Sequence, residues 1–176
     1  MSLADVVLAL VTLQRLIELM IARRNTSALL AQGAREVAPE HYPIIVAVHA
    51  AWLAGLWWLA GIPGLVPGLG WLIAFIVLQL GRVWVLATLG PRWTTRIIVL
   101  PGAPLVTGGP YRFLSHPNYA VVAGEIAVLP IAFGLYAFAI VFTLLNAAIL
   151  LVRIRAESAA LEASTKEPRD AATSGN

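Results

Sequence analysis

The sequence contains no cysteine, only one lysine (Lys166), and charged residues at only 12% of its 176 positions. The absence of cysteine excludes disulfide bonds, thiolate nucleophiles and cysteine-ligated metals or clusters. In soluble domains, about a quarter of all residues are charged. The shortage of charge, together with 60% hydrophobic residues, therefore indicates an integral membrane protein, and the length suits one compact domain.

Five apolar segments predict an all-α, polytopic membrane protein with five transmembrane helices. They are about Leu3–Ala22, Tyr42–Ala60, Leu65–Leu89, and two that share Pro117–Ile154 and divide near Pro130–Gly134. A helix needs about 20 residues to cross about 30 Å of hydrocarbon, and the first three segments meet that length. We expect the last two segments to form a tight helical hairpin, with Pro117 in the first turn of its first helix.

Basic residues alternate between the connections and predict the orientation. They lie in the first loop, in the third loop and after the last helix: Arg23, Arg24, Arg35; Arg92, Arg96, Arg112; Arg153, Arg155, Lys166, Arg169. The second and fourth connections have none. The positive-inside rule then places the N-terminus outside and the C-terminus in the cytoplasm. The excess of Arg over Lys, with the richness in Ala and Val, suggests a GC-rich bacterial genome, so the expected location is a bacterial inner membrane. The net charge of +3 reflects topology and gives no support for nucleic-acid binding.

The third connection, Gly90–Ser115, is too long and too apolar for a simple linker. Loops of this length are usually functional or disordered, and Trp93 and Ile97–Val99 argue against disorder. We expect it to fold back as a lid over the cytoplasmic mouth of the bundle. The sequence thus predicts one membrane domain over residues 1–163 and a disordered cytoplasmic tail over residues 164–176.

Several polar residues interrupt the apolar segments. Arg15 and Glu18 are spaced i,i+3 and can pair on one helix face, and Gln79 and Arg82 repeat the spacing. Glu125 and Asn146 lie in the last two segments. Such residues either satisfy one another across a bundle or mark a functional site, and the sequence leaves both interpretations open. His49, alone in an apolar helix, is interpreted as a packed structural histidine.

Two groups of residues could carry chemistry at the cytoplasmic end. The segment Gly108–Tyr119 places an Arg, a His and two Tyr at the mouth of a membrane helix, with Glu125 one or two turns below. In the last helix, Arg153 and Glu157 are spaced i,i+4 and share a face. This pair suits either a surface ion pair or a cofactor site, in which a carboxylate binds a ribose diol and a guanidinium binds a carboxylate or phosphate.

These motifs together resemble the isoprenylcysteine carboxyl methyltransferase family. The resemblance rests on Gly109-Pro110-Tyr111-Arg112, His116-Pro117-Asn118-Tyr119, Glu125, Pro130, Arg153 and Glu157. Further segments resemble the bacterial branch of the family; they are Gln14–Glu18, Ala22–Asn25, Gly33–Glu36, His41–Pro43 and Leu89–Trp93. That branch includes small membrane methyltransferases that are found with type III polyketide synthases and O-methylate alkylpyrones. One departure is Glu157-Ser158, where the family often has two adjacent Glu.

The resemblance implies S-adenosylmethionine as methyl donor and an amphipathic lipid, such as an alkylpyrone-like enol or a carboxylate, as acceptor. It also implies cofactor-binding and catalytic residues. The cofactor-binding set is His116, Pro117, Tyr119, Tyr111, Arg112, Glu125 and Glu157, and the catalytic set is Arg153 and Glu157. The expected partners are this small molecule and the lipid bilayer. No metal site is expected, and the oligomeric state is left open.

Three alternatives remain at this point. The nearest is another acceptor in the same fold, either a prenylated cysteine carboxylate or a phospholipid amine. The second is an NADPH-dependent membrane reductase, for which Arg92, Arg96 and Arg112 could bind the 2′-phosphate. The third is a transporter or proton relay built on the buried charges, which predicts inverted repeats that the sequence does not display.

Overall fold

The computed structural model describes residues 2–60 and 66–166, with side chains as far as residue 163. Its described residues form five α-helices: α1 (Leu3–Ala31), α2 (His41–Ala60), α3 (Leu69–Leu89), α4 (Pro117–Ala132) and α5 (Tyr136–Lys166). Two short 3-10 turns, Gly90–Arg92 and Gly109–Arg112, lie between α3 and α4. Strands β1 (Arg35–Glu36) and β2 (Ile98–Val99) pair in antiparallel register, Arg35 opposite Val99.

The prediction of a helical membrane protein is confirmed, with differences at element ends. Helix α1 continues nine residues past Ala22, through a polar stretch that an apolar-segment search does not include. The β1–β2 pair departs from an all-α fold, because its strands of two residues form only where two loops meet. Helix α5 reaches Lys166, so it includes the first residues of the predicted tail, and residues 167–176 lie outside the described ones.

Three of the described helices are long and apolar enough to cross a membrane. They are His41–Ala60, Leu69–Arg92 and Tyr136–Ala163. Helix α4 is apolar but has only 16 residues, which at about 1.5 Å per residue gives about 24 Å. Helix α1 is long enough, but it contains Asp5 in its first turn and Arg15 and Glu18 near its middle. Large apolar side chains of α1 still face outward, including Leu10 at 62% exposure, as in a bundle surrounded by lipid.

The α4–α5 hairpin has the predicted break. Helix α4 ends at Ala132, and the amides of Phe133 and Leu135 both donate to the carbonyl of Pro130. Gly134 adopts φ +73°, a left-handed conformation that glycine adopts without steric cost. The hairpin therefore sets the beginning of α4 beside the end of α5.

The interior of the bundle is layered along α1. Near its start, Leu8 and Val11 pack with Trp52, Leu56 and other apolar side chains of α2, α3 and α4. Charged residues of α1, α3 and α4 form the middle layer. Beyond them, Ala22 packs with Val85 and Trp93 in a second apolar cluster. Burial of such apolar surface stabilises the contacts that hold the charged layer between them.

Two glycines let α3 and α4 approach closely at the charged layer. A Cβ on Gly124 would lie 2.8 Å from Leu78 Cδ2, and a Cβ on Gly81 would lie 3.4 Å from Val121 Cγ2. Each glycine directly precedes a charged residue, Arg82 or Glu125. The close approach therefore brings these two side chains within hydrogen-bonding distance.

The connection between α3 and α4 is ordered and packs on the rest of the chain. Trp93, Ile97 and Val99 are buried, in agreement with the expectation that this loop is not disordered. Arg96 pairs with Glu36 at 2.9 Å, and its guanidinium carbon lies 4.4 Å from the ring centroid of Tyr42. The loop is thus fixed to the α1–α2 connection, and its role as a lid stays a prediction.

Candidate functional site

The first part of the site is the entry into α4. Pro117 lies in the first helical turn, as the sequence predicts, and His116 occupies the N-cap position. Just before them, Gly109 adopts φ +57°, and a Cβ there would lie 2.3 Å from Thr88 Oγ1 of α3. Only glycine fits this approach. The glycine therefore lets the Gly109–Arg112 turn, which carries Tyr111 and Arg112, lie directly on α3.

The second part is the contact between the start of α4 and the end of α5. Tyr119 donates its hydroxyl hydrogen to Glu157 Oε2 at 2.5 Å, and Ser158 Oγ lies 3.3 Å from His116 Nε2. The rings of His116 and Tyr119 have centroids 5.7 Å apart. Two residues of one motif thus contact two successive residues of α5, 38 and 42 positions away. We name His116, Tyr119, Arg153, Glu157 and Ser158 the α4–α5 cluster.

Arg153 is the most buried member of the α4–α5 cluster, at 4% exposure. Its Nη2 donates to the carbonyl oxygen of Thr95 at 2.9 Å, while its Nε has no hydrogen-bond partner. Of the two interpretations that the sequence left open, the surface ion pair with Glu157 is wrong: the ion pairs of the described residues do not include Arg153. A buried guanidinium bound to a neutral carbonyl, without a carboxylate, retains capacity for an anionic ligand.

Tyr111 lies near the Glu157 carboxylate of this cluster, whereas the next residue, Arg112, contacts Phe113. Tyr111 is half-buried, and burial, with a smaller contribution from the Glu157 carboxylate, raises the pKa of its hydroxyl to about 12. Tyr111 therefore stays a neutral hydrogen-bond donor across the physiological range. Arg112 is exposed, and its guanidinium carbon lies 5.0 Å from the ring centroid of Phe113.

Glu125, the remaining predicted cofactor residue, lies in a separate group of charges. Its Oε2 accepts from Arg82 Nη1 at 2.6 Å and from Arg15 Nη2 at 2.8 Å. Its Oε1 accepts from Gln79 Nε2 at 2.7 Å. None of the hydrogen bonds among the described residues joins Glu125 to the α4–α5 cluster, so its assignment to a cofactor site stays a prediction.

The deeper group, which we name the deep ion network, is Arg15, Glu18, Arg82 and Glu125. Arg82 binds both oxygens of Glu18, at 2.5 and 2.7 Å, and Arg15 binds Glu18 at 2.9 Å. The predicted i,i+3 pair of Arg15 with Glu18 is therefore confirmed. Two guanidinium and two carboxylate groups balance in charge, and each contacts at least two partners. This arrangement matches the structural interpretation that the sequence left open.

The other predicted polar residues have simpler contacts. His49 Nδ1 lies 2.8 Å from the carbonyl oxygen of Ile45 in the preceding turn, as expected of a packed histidine. Asn146 is 1% exposed, and its Oδ1 has no partner. No group of three His, Asp or Glu side chains able to hold a metal occurs within residues 2–60 and 66–163, and the absence of a metal site stays a prediction.

Sequence reasoning missed three residues next to the motifs. Ser158 was treated only as a departure from a family pattern, and the structure places it against His116. Thr95 supplies the carbonyl that Arg153 binds. Asn118, inside the His-Pro-x-Tyr motif, has a buried Oδ1 with no partner. Asn118 alone had a signal in the sequence, because it is a polar residue in the first turn of an apolar helix.

The arrangement of the α4–α5 cluster can be compared with known proteins. The model of the isoprenylcysteine carboxyl methyltransferase (ICMT) family matches residues 71–163, which include every member of the cluster. The uncharacterized protein YpbQ of Bacillus subtilis (strain 168) is 40% identical over 158 residues, which cover 88% of this chain and 94% of YpbQ. No solved structure gives a significant match. The chain belongs to the isoprenylcysteine carboxyl methyltransferase family and is, by that membership, a membrane methyltransferase.

Proposed function

We propose that this protein transfers a methyl group from S-adenosylmethionine to an oxygen of an amphipathic lipid, an alkylpyrone-like enol or a carboxylate. The observation that carries the proposal is the α4–α5 cluster, in which Tyr119 binds Glu157 and His116 contacts Ser158. This contact joins the two motifs of the family at one end of the bundle. The partners are then a small lipid and the bilayer, with no role for nucleic acid.

We also propose five membrane spans in a bacterial inner membrane, with α1 and α4 as the two additional spans. The outward-facing apolar side chains of α1 and the neutralised charges of its interior support a place for it in the bilayer. Alternation of basic loops then puts the N-terminus outside and the α4–α5 cluster on the cytoplasmic side. A water-soluble donor reaches that side, and the α3–α4 connection would cover the site as a lid.

The residues at the cluster fit the parts of the donor. Glu157 provides a carboxylate for a ribose diol, and the rings of His116, Tyr119 and Tyr111 offer faces for the adenine or the sulfonium. The unpaired Nε of Arg153 provides a donor for an anionic oxygen. Pro117 fixes the first turn of α4, on which His116 and Tyr119 depend, and Arg112 would close the entrance.

Bound there, S-adenosylmethionine would supply a sulfonium methyl group that the acceptor oxygen attacks, while the electron pair of the carbon–sulfur bond leaves on sulfur. The protein's residues have the task of positioning and water exclusion. An enol or carboxylic acid of this kind is already ionised near neutral pH, so it needs little general base. Holding the oxygen about 3–3.5 Å from the methyl carbon accounts for most of the acceleration. Arg153 would orient the oxyanion without neutralising it fully.

The contacts of the charged residues favour a methyltransferase over a reductase or a transporter. One of the three arginines that could bind a 2′-phosphate is already paired with a carboxylate: Arg96 pairs with Glu36 at 2.9 Å. The charges that could relay protons bind one another in the deep ion network. Prenylated cysteine carboxylates and phospholipid amines are the remaining acceptors in the same fold.

Calorimetry on detergent-purified protein tests the proposal. S-adenosylhomocysteine, the demethylated product, and NADPH are titrated in parallel into the unaltered protein and the His116→Ala variant. We expect saturable binding of S-adenosylhomocysteine alone, weakened in the variant. Binding of NADPH alone would assign the protein to the reductases, and a folded protein that binds neither would refute the cofactor site.

A further inference from the structure

The exposed apolar face of α3 ends at a tryptophan. Ile73, Val77, Leu80 and Trp84 follow one another at intervals of three or four residues, so they lie on one face of the helix, and all four side chains are exposed. Helix α3 is long and apolar enough to cross a membrane, so this face contacts hydrocarbon. Trp side chains are enriched where a spanning helix meets the lipid headgroups. Trp84, five residues before the end of α3, therefore indicates the level of that boundary.

The connection that follows α3 returns to this face. The turn that begins at Gly109 lies on Thr88, where an added Cβ would be 2.3 Å from Thr88 Oγ1. The ring centroid of Phe113 is 6.3 Å from that of Trp84. Phe113 is 67% exposed, and Leu114 beside it is exposed as well. Two large apolar side chains thus continue the lipid-facing surface of α3 onto the loop.

The connection is also basic and has no acidic residue. Residues 90–116 include Arg92, Arg96 and Arg112 and neither Asp nor Glu. Arg96 pairs with Glu36, but the ion pairs found in the described parts of the chain do not include Arg92 or Arg112. Both of these side chains are exposed. Among the described residues, two cations at this end of α3 therefore have no acidic partner.

Each of these two arginines lies beside an exposed apolar side chain. The guanidinium carbon of Arg112 is 5.0 Å from the ring centroid of Phe113. Arg92 Nη1 donates to the carbonyl oxygen of Pro104 at 2.6 Å, and the next residue, Leu105, is exposed. A phospholipid presents the complementary combination, a phosphate next to hydrocarbon. A guanidinium binds phosphate oxygens through two parallel N–H groups.

Continuity with the lipid-facing surface of α3 favours a lipid over a soluble anion. A free phosphate compound would bind the arginine and leave Phe113 and Leu114 in water, whereas an acyl chain would cover both. The absence of acidic residues from the connection favours a lipid with net negative charge, because anionic headgroups attract basic residues near the membrane surface. In a zwitterionic lipid, the ammonium group balances the phosphate and repels a guanidinium.

We propose that Arg112, Phe113 and Leu114, together with Trp84, form a docking site for an anionic phospholipid. Its phosphate binds the Arg112 guanidinium, and an acyl chain packs against Leu114 and the two rings. The bound lipid attaches the Gly109–Arg112 turn, and with it the entry into α4, to the bilayer. This lipid is a component of the membrane and not the methyl acceptor, so the inference does not depend on the proposed function.

The absence of cysteine allows one fluorophore to be placed beside this site. Full-length protein with Ser115→Cys is labelled with bimane and reconstituted in phosphatidylcholine vesicles. These contain an increasing fraction of either phosphatidylglycerol or phosphatidylcholine with brominated acyl chains, which quench bimane only at short range. We expect both brominated lipids to quench the label. Phosphatidylglycerol should bind about five-fold more tightly, as expected for one basic residue near the surface.

Variants identify the side chain that causes this preference. Arg112→Gln should abolish it, while quenching by both lipids persists because the apolar contacts remain. The matched control is Arg155→Gln, which removes an exposed arginine from α5 and should keep the preference. Bimane at Leu80→Cys, on the same face of α3, should be quenched equally by both lipids. If the labelled Ser115→Cys protein does not fold, Leu114→Cys takes its place.

Four results would overturn the inference. They are no quenching beside Ser115 by either lipid, equal quenching by both, an unchanged preference in Arg112→Gln, and displacement of brominated phosphatidylglycerol by soluble glycerol 1-phosphate. The last result would assign Arg112 to a free phosphate compound. The methyl donor takes no part in these measurements, so each of these results leaves the methyltransferase proposal unaffected. Failure to bind S-adenosylhomocysteine would in turn contradict that proposal and leave the lipid site unaffected.

Discussion

The deep ion network and the α4–α5 cluster are both polar groups inside an apolar bundle, but they differ in how completely their atoms are paired. In the network, all four charged side chains bind oppositely charged partners, and Arg82 alone makes three such hydrogen bonds. In the cluster, Arg153 at 4% exposure is more buried than Arg82 at 6%, and its hydrogen-bond partners are neutral groups, the carbonyl of Thr95 and the hydroxyl of Tyr119. Polarity inside a membrane bundle therefore does not identify a site; unused bonding capacity does.

The network explains how α1 can carry charges and remain in the bundle. Charged groups in hydrocarbon are costly unless they are paired and hydrogen-bonded. Glu18 of α1 and Glu125 of α4 are both bound by Arg82 of α3, so one guanidinium joins three helices. The amides of Gln14 and Gln79 bind the remaining carboxylate positions. The network thereby fixes the rotation of each helix about its axis.

The largest expected effect comes from removing the guanidinium at the centre of the network. Arg82→Met leaves Glu18 and Glu125 buried with fewer partners, and breaking a buried ion pair on one side costs about 3–5 kcal/mol. We expect the variant to unfold at much lower denaturant concentration in detergent. Arg155→Met is the control, because Arg155 is exposed on α5 and its loss should change stability little. Equal stability of the two variants would contradict the structural role of the network.

One Glu→Gln substitution in each region allows a direct comparison of the deep ion network with the α4–α5 cluster. Glu125→Gln should lower the free energy of unfolding and leave the affinity of the folded protein for S-adenosylhomocysteine unchanged. Glu157→Gln should leave the free energy of unfolding nearly unchanged, because its amide oxygen still accepts from Tyr119. It should weaken S-adenosylhomocysteine binding, because the charge for the ribose diol is lost. A charged hydrogen bond of about 1.5–3 kcal/mol corresponds to about ten-fold or more in affinity.

Calorimetry on both variants, with unfolding curves on the same samples, provides the measurement. If Glu125→Gln weakens binding as much as Glu157→Gln, Glu125 belongs to the cofactor site after all and the separation of the two regions fails. If Glu157→Gln binds normally, Glu157 is withdrawn from that site.

The smallest effect concerns the approach of the Gly109–Arg112 turn to α3. Gly109→Ala introduces a Cβ 2.3 Å from Thr88 Oγ1, in addition to the cost of a left-handed alanine, about 1–2 kcal/mol. Gly33→Ala is the matched control: Gly33 has φ +90°, and a Cβ added there would meet nothing within 4 Å. Both substitutions should lower the free energy of unfolding because alanine is strained in this conformation. The decrease should be larger for Gly109→Ala because of the added contact with Thr88.

The affinity for S-adenosylhomocysteine provides a second comparison of the two glycine variants. Displacement of the turn moves Tyr111, so Gly109→Ala should weaken S-adenosylhomocysteine binding several-fold, while Gly33→Ala leaves it unchanged. Neither substitution touches the deep ion network. Normal binding by a folded Gly109→Ala protein would show that the position of Tyr111 is not required at the site.

The sequence predicts the helices more completely than their contacts. Apolar runs marked all five helices within a few residues at most ends, because burial in lipid or in a core requires such runs. The failures have physical causes. The polar end of α1, beyond Ala22, is helical because its neighbours support it, and Asn25 donates to the carbonyls of Gly90 and Trp93. The β1–β2 pair depends on two loops meeting, which no local pattern contains.

For the site residues too, the sequence predicts which residues share a motif but not which of them meet in space. The resemblance groups His116, Tyr119, Arg153 and Glu157, and the α4–α5 hairpin brings His116 and Tyr119 into contact with α5; their role at a cofactor site stays a prediction. Glu125 was added because it belongs to the pattern that resembles the family and is a carboxylate inside an apolar segment. Six residues rotate a helix by about 240°, however, so Glu125 faces α1 and α3 while Tyr119 faces α5.

By itself, the sequence determined that the chain is a helical membrane protein, which helices form it, and which motifs it shares with its family, since hydrophobicity and motif spacing are properties of the chain alone. Tertiary structure decided which charges neutralise one another and which stay available. Pairing of Arg15, Glu18, Arg82 and Glu125 depends on three helices meeting, and the unpaired Nε of Arg153 becomes visible only when every neighbour has a position. The sequence specifies the residue types, but only the folded structure determines which of their hydrogen-bonding groups have partners.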